Sequence, residues 1–160
     1  MKILSLDQST IKTGVSVFKD KTLHKHFLID LSKEKKISND ERLEKMMNEI
    51  KNVIYEENPD FVVFEDVSFQ NNVQTLVKLS RLQGSIIQNC LDKNINYRIL
   101  TPNEWRCCLN FQLGKGCRRD FLKRQARLYV KIHYNEDMSE DESDSVCIAS
   151  AFLELNKNIV

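Results

Sequence analysis

Four carboxylates in this 160-residue sequence stand where an isolated acid is costly or conspicuous. Asp7 closes the apolar run "KILSLD", and Glu65 closes the run in "PDFVVFED". A charge at the end of an otherwise apolar strand needs a counter-charge, a hydrogen-bond set or a metal ion to offset its desolvation. Asp141 and Asp144 belong to "EDMSEDESD", in which six acids and no base precede the apolar "SVCIASAFLEL". At a helix start, a spacing of three sets two carboxylates on one face, with Cβ atoms about 5–6 Å apart, and the helix dipole favours negative charge there. Each acid taken alone has two readings: a solvated strand end or helix start, or a ligand of a hard divalent cation, which prefers oxygen donors. Glu136, Asp137, Glu140 and Glu142 are expected to be solvated and to add only a local negative field.

The bases are as unevenly spread as the acids. The formal net charge is only +1, yet Lys115, Arg118, Arg119, Lys123, Arg124 and Arg127 fall in one short segment against the single acid Asp120. A basic segment beside an acidic knot is what a phosphate-binding surface next to a metal site requires; for Lys123, Arg124 and Arg127 an exposed helix face is the alternative. The 5 cysteines form no C-x-x-C and have no histidine at zinc-finger spacing, so reduced, packed thiols are expected rather than zinc. The opening "MKILSLDQST" lacks the sustained apolar region of a signal peptide, and no stretch approaches the roughly 18 apolar residues of a membrane span. A cytoplasmic protein without a membrane partner is expected. The length and the absence of low-complexity linkers point to one domain over residues 1–160.

The elements that must position these residues follow from periodicity. "KILSLD" reads as a buried strand, "QSTIKTG" as a turn, and "VSVFK" and "TLHKHFLI" as two further strands of an antiparallel meander. "SNDERLEKMMNEIKNVIYEEN" has Ser38 three residues before Glu41, a capping box, and apolar positions at Leu43, Met46, Met47, Ile50, Val53 and Ile54. "FVVFED" is a buried strand, a second long helix carries Val73, Leu76, Val77, Ile87 and Leu91, and "NYRIL" is a fifth strand. "TPNEW" repeats the capping logic with Thr101, Pro102 and Glu104, and Ser139 with Glu142 repeats it again before the last helix. The predicted order is β-β-β-α-β-α-β-α-α-α.

Three segments together resemble the RuvC family of Holliday-junction resolvases, in the ribonuclease H-like superfamily. "ILSLDQSTIKTGVSVF" is similar to its opening, "PDFVVFEDVSF" to its second motif, and "DESDSVCIASA" to its C-terminal Asp-x-x-Asp motif. The compact length and the departures from bacterial sequences suggest a phage- or virus-type member. The resemblance implies an α/β fold with a five-stranded mixed sheet of order 3-2-1-4-5 flanked by helices. It further implies a homodimer through the second long helix, acting on branched DNA in a bacterial or infected host cell. Family roles carried onto this sequence make Asp7, Glu65, Asp141 and Asp144 the catalytic, metal-binding carboxylates for two Mg²⁺ or Mn²⁺ ions, with no small-molecule cofactor. Phe69 stands nearest to the family's base-stacking aromatic, one residue further from the acid than in bacterial members. Arg119 is the nearest match to a family lysine in the phosphate-binding region, with Lys115, Arg118 and Lys123 as further DNA contacts. The implied activity is the paired, symmetric nicking of four-way junctions to leave 5′-phosphate and 3′-hydroxyl ends.

Other classes open similarly. Sugar kinases and actin-like ATPases share a strand-Asp-turn like "LDQSTIKTG", but they need two large domains and glycine-rich phosphate loops, and this chain has 4 glycines in all. A non-catalytic binder of branched DNA gains nothing from four acids that repel the backbone. A ribonuclease H-like enzyme acting on RNA stays open.

Overall fold

Ile3 and Ser5 alternate with Leu4 and Leu6, and all four are buried in the strand Lys2–Asp7 (β1), which therefore lies inside a sheet covered on both faces. The computed structural model describes residues 1–34, 36–68, 72–114 and 117–157. β1 pairs antiparallel with β2 (Lys12–Lys19), which pairs antiparallel with β3 (Thr22–Asp30). On its other side β1 runs parallel to β4 (Phe61–Glu65), and β4 runs parallel to β5 (Asn96–Leu100), giving the expected order β3-β2-β1-β4-β5.

The turn after β1 is shorter than the sequence suggests. Thr13 closes it early: the Ser9 N–H donates to Thr13 Oγ1 at 3.1 Å and that hydroxyl donates back to the Ser9 carbonyl at 3.0 Å. Strand pairing therefore begins at Lys12, and Gly14 belongs to the sheet rather than to the turn.

Two layers of helices cover the sheet. α1 (Asn39–Glu57), with its Ser38–Glu41 capping box, and α2 (Val73–Asp92) pack on the face of Leu4, Leu6, Val62 and Phe64. α1 buries Leu43, Met46, Ile50 and Ile54 there. α2 turns Leu82, Ile86, Asn89 and Cys90 inward. Val73, Val77 and Leu91 point outward instead, 62%, 41% and 55% exposed, while Ile87 of the same stripe packs against the core on this face.

The opposite face carries Ile3, Phe18 and Val63 and is covered by α3 (Pro102–Cys108), α4 (Arg119–Tyr134) and α5 (Glu140–Leu155). α5 is the central element. Residues Ser145–Phe152 are buried without interruption, because the sheet lies on one side of the helix and α4 and α3 lie on others. Small side chains make that possible. Ser5 and Ser16 face each other across β1 and β2, and the hydroxyls of Ser143, Ser145 and Ser150 are satisfied by carbonyls within their own helix at 2.8 Å.

The tightest point is Gly14, the cross-strand partner of Asp7. A Cβ on Gly14 would lie 1.9 Å from the carbonyl oxygen and 2.2 Å from the carbonyl carbon of Asp141. The first turn of α5 thus rests directly on the β2 backbone. Gly14→Ala should lift that turn from the sheet and destabilise the fold by about 1–3 kcal/mol, the usual range for overpacking, since the obstacle is backbone. Urea unfolding would show it; an unchanged midpoint would mean that the helix re-seats freely.

Candidate active site

Strand geometry alone brings the first two acids together. β1 and β4 are parallel with Leu6 opposite Phe64, so Asp7 and Glu65 leave the sheet at the same edge and level. Both point toward the α5 layer, being two residues beyond Ser5 and Val63. Gly14 then seats the start of α5 beside Asp7, and the i, i+3 spacing turns Asp141 and Asp144 to the same place. All four line one pocket, together with Arg106, Arg119, Leu122 and Lys123.

Three ties hold the start of α5. Ser139 and Glu142 form the expected capping box. Glu142 is not simply solvated: its Oε1 also takes the His26 Nδ1 of β3 at 2.8 Å. Burial would raise the Glu142 carboxyl, but the bonds from Ser139 and His26 outweigh it and hold the group below its ordinary value. Lys123 of α4 supplies the third tie, at 2.5 Å from Glu140 and 3.9 Å from Asp141. Glu140 is therefore paired too, and Lys123 faces the pocket rather than solvent, with 17% of its side chain exposed. Arg124 and Arg127 lie on the exposed face of α4, where Arg127 meets Asp137 at 3.5 Å.

Glu65 has its own holders, neither of them evident in the sequence. Trp105 Nε1 donates to Glu65 Oε1 at 2.8 Å, and the Arg106 guanidinium lies 3.6 Å from the same oxygen. Gln8 Nε2 donates to the Glu65 main-chain carbonyl at 2.5 Å. The Thr101–Glu104 capping box fixes the start of α3, the short helix that carries Trp105 and Arg106. Arg118 is the exposed N-cap residue of α4 outside the pocket, while Arg119 contributes to its wall. Phe69 and Lys115 lie outside the described residues.

The electrostatics match a site built for cations. Burial, then the neighbouring Asp144, Glu65 and Asp141, pushes the Asp7 carboxyl well above its usual range. Asp144 is pushed up to about 7, first by burial and then by Glu65, against the pull of Arg106 and Lys123. Glu65 is raised by burial, with the Trp105 hydrogen bond and Arg106 opposing. The donors are carboxylates only, without His or Cys, which suits a hard divalent ion. Among the described residues no three acid, His or Cys side chains converge tightly enough to form a ready-made ligand cage.

The raised Asp144 has a measurable consequence for stability. Because its folded value of about 7 exceeds its ordinary 3.8, the ionised form penalises the folded state. The penalty is absent below about pH 4 and grows as the pH rises toward 7. In EDTA, Asp144→Asn should therefore stabilise the protein at pH 8 by on the order of a few kcal/mol, and by much less at pH 4. Urea unfolding of both proteins at the two pH values measures this; an equal difference at both would contradict the assignment.

Comparison with known proteins shows the family and the fold. The family model for crossover junction endodeoxyribonuclease RuvC matches residues 3–151. The RuvC of Finegoldia magna is 29% identical over 157 residues, covering 93% of this chain and 90% of that protein. RuvC of Fusobacterium nucleatum is 26% identical over 105 residues, covering 64% of this chain and 55% of the relative. Among solved structures, T. thermophilus RuvC in complex with a Holliday junction substrate superposes with a TM-score of 0.78 at 13% identity, over 99% of this chain and 97% of the other. The yeast mitochondrial Holliday junction resolvase Ydc2 gives 0.59 at 14% identity, over 95% of this chain and 77% of the other. The fold is ribonuclease H-like, and with the family model spanning nearly the whole sequence, this chain belongs to the RuvC family of crossover junction endodeoxyribonucleases.

Proposed function

We propose that residues 1–160 form one nuclease domain that resolves four-way DNA junctions, and other branched DNA, by metal-dependent nicking. The observation that carries this reading is the convergence of Asp7, Glu65, Asp141 and Asp144 from three elements on one pocket whose wall includes Arg106, Arg119 and Lys123. A non-catalytic binder has no use for buried acids with raised proton affinity beside the DNA path. RNA as the substrate is the second reading, and it is distinguished by the substrate panel below.

Asp7, Glu65, Asp141 and Asp144 would hold two Mg²⁺ or Mn²⁺ ions. When bound, such a pair activates a water for in-line attack on phosphorus and stabilises the departing 3′ oxygen, which leaves 5′-phosphate and 3′-hydroxyl ends. Asp7 stands between Glu65 on one side and the α5 acids on the other, so it is the natural shared ligand. The N-terminus of α5 adds a favourable dipole for Asp141 and Asp144. Arg119 and Lys123 draw the phosphate backbone toward the acids, and Arg118 extends the basic rim along it. Phe69 and Lys115 retain the stacking and phosphate-binding roles that the family resemblance assigns them. Among the described residues no helix is long and apolar enough to cross a membrane, and the DNA reading places the protein in the cytoplasm of a bacterial or infected host cell.

The outward stripe of α2 supports a homodimer. Val73, Val77 and Leu91 are exposed, and a Cβ on Gly84 would meet nothing within 4 Å, so the stripe has room for a second helix. A twofold dimer would present two equal sites to the two equivalent strands of a junction, giving paired symmetric nicks.

Asp7→Asn should reduce junction cutting in Mg²⁺ by at least roughly a hundredfold, the scale of losing one electrostatic stabiliser, while binding stays intact or tightens. The assay uses labelled four-way DNA, three-way DNA, linear duplex and an RNA counterpart, with Mg²⁺ or EDTA. Retained cutting by the variant sinks the assignment, and preferred cutting of RNA selects the second reading.

Val77→Asp places a charge on the exposed stripe, at a residue outside both apolar clusters. It should yield a folded monomer by sedimentation and abolish paired nicking. A dimer that persists would move the interface elsewhere.

A further inference from the structure

A glutamate reaches its carboxylate through one more rotatable bond than an aspartate, so among the four pocket acids Glu65 has the most need of an outside tie. The fold supplies it. Trp105 Nε1 donates to Glu65 Oε1 at 2.8 Å, and among the described residues this is the one hydrogen bond that any of the four carboxylates accepts. The Glu65 main chain is held separately, its carbonyl taking Gln8 Nε2 at 2.5 Å. Side chain and backbone are thus anchored from different elements.

The kind of donor matters. An indole N–H only donates and carries no charge, so it orients a carboxylate without neutralising it. A basic side chain in its place would compete with a cation for the oxygen it holds. The ring itself cannot wander. Trp105 is 1% exposed and packs edge-on to Phe111 with centroids 5.6 Å apart, and Phe111 lies 6.1 Å from the Tyr129 ring of α4. The donor therefore belongs to the apolar cluster on this face of the sheet. A buried indole N–H requires an acceptor, and Glu65 is the one it has.

Resting on the metal-dependent reading above, we propose that Trp105 is the positioning residue for Glu65: its N–H holds Oε1 and leaves Oε2 as the oxygen offered to a divalent ion. Partners behind a ligating carboxylate fix its orientation, and losing one costs about 10- to 100-fold in metal affinity or activity. Buried as it is, the indole acts only through Glu65. Its contribution lies in how tightly ions are held.

The chain has a single tryptophan, so growth on a tryptophan analogue alters position 105 and no other. Benzothienylalanine keeps the fused ring and the Arg106 guanidinium stacked on it at 4.6 Å, and lacks the N–H. Fluorotryptophan keeps the N–H and is the matched control. Mn²⁺ binding without DNA is followed by the paramagnetic resonance of the free ion. It should weaken about 10- to 100-fold with benzothienylalanine and stay within about twofold of the wild type with fluorotryptophan. In cutting assays the Mg²⁺ concentration for half-maximal rate should rise with benzothienylalanine, while the rate at saturating Mg²⁺ stays within about threefold, as for an interaction that serves binding alone. Trp105→Phe, which also lacks the donor, carries the comparison if the benzothienyl protein does not fold. Mn²⁺ affinity unchanged by loss of the N–H, or a rate lowered equally at every Mg²⁺ concentration, would overturn the inference. Wild-type protein that neither binds Mn²⁺ nor cuts junctions in Mg²⁺ would refute the metal-dependent reading itself, and the inference with it.

Discussion

The carbonyl of Asp141 occupies the space that any side chain at position 14 would need, and the geometry of the pocket depends on that vacancy. β1 and β4 are locked to each other by parallel pairing, so Asp7 and Glu65 have no freedom relative to one another. The α5 acids are placed only by packing. Close seating requires small groups on both partners, and the contact has them: Gly14, Ser5 and Ser16 on the sheet, Ser143, Ser145 and Ala149 on the helix. The arrangement has a cost. The Ser5 and Ser16 hydroxyls are buried without partners among the described residues, each at about 1–3 kcal/mol, which a layer of valines would avoid while holding the helix further out.

Packing at that contact forces like charges together against their electrostatic preference. Burial raises Asp7 and Asp144 most, and repulsion among the acids adds to it. Such a site does not hold itself together; the apolar clusters on the two faces of the sheet do. The side-chain ties add direction rather than much strength. His26 on β3, Lys123 on α4 and the capping serine each grip the first turn of α5 from a different side. Stability of this kind is commonly exchanged for function at active sites.

What the sequence revealed was local. The three capping boxes at Ser38, Thr101 and Ser139 are each written within four residues, and each formed. The acids ending β1 and β4 were conspicuous because they interrupt apolar runs, and the strand order followed from the family resemblance. Long-range contacts left no such trace. Nothing in "TPNEWRCC" says that α3 folds over Glu65, so nothing there singles out Trp105 and Arg106. Gly14 looked like part of a turn, because only the position of α5, far along the chain, shows why a side chain there is impossible. The same limit applies to α2, whose apolar residues lie on two faces. Periodicity found the stripe of Val73 and Val77 but could not say that Leu82 and Ile86 were the ones turned inward. In the sequence Glu142 reads as solvated, because its partner, His26, lies on a strand from the other end of the chain.

The helix that completes the pocket is both the last in the chain and the innermost in its layer. While the protein is being made, β1, β4 and the helices of the other face can emerge from the ribosome and begin to fold without it. Two of the four acids are then missing, and the sheet face that will hold them is bare. Under the four-acid reading proposed above, a chain that stops before α5 would have no nuclease activity.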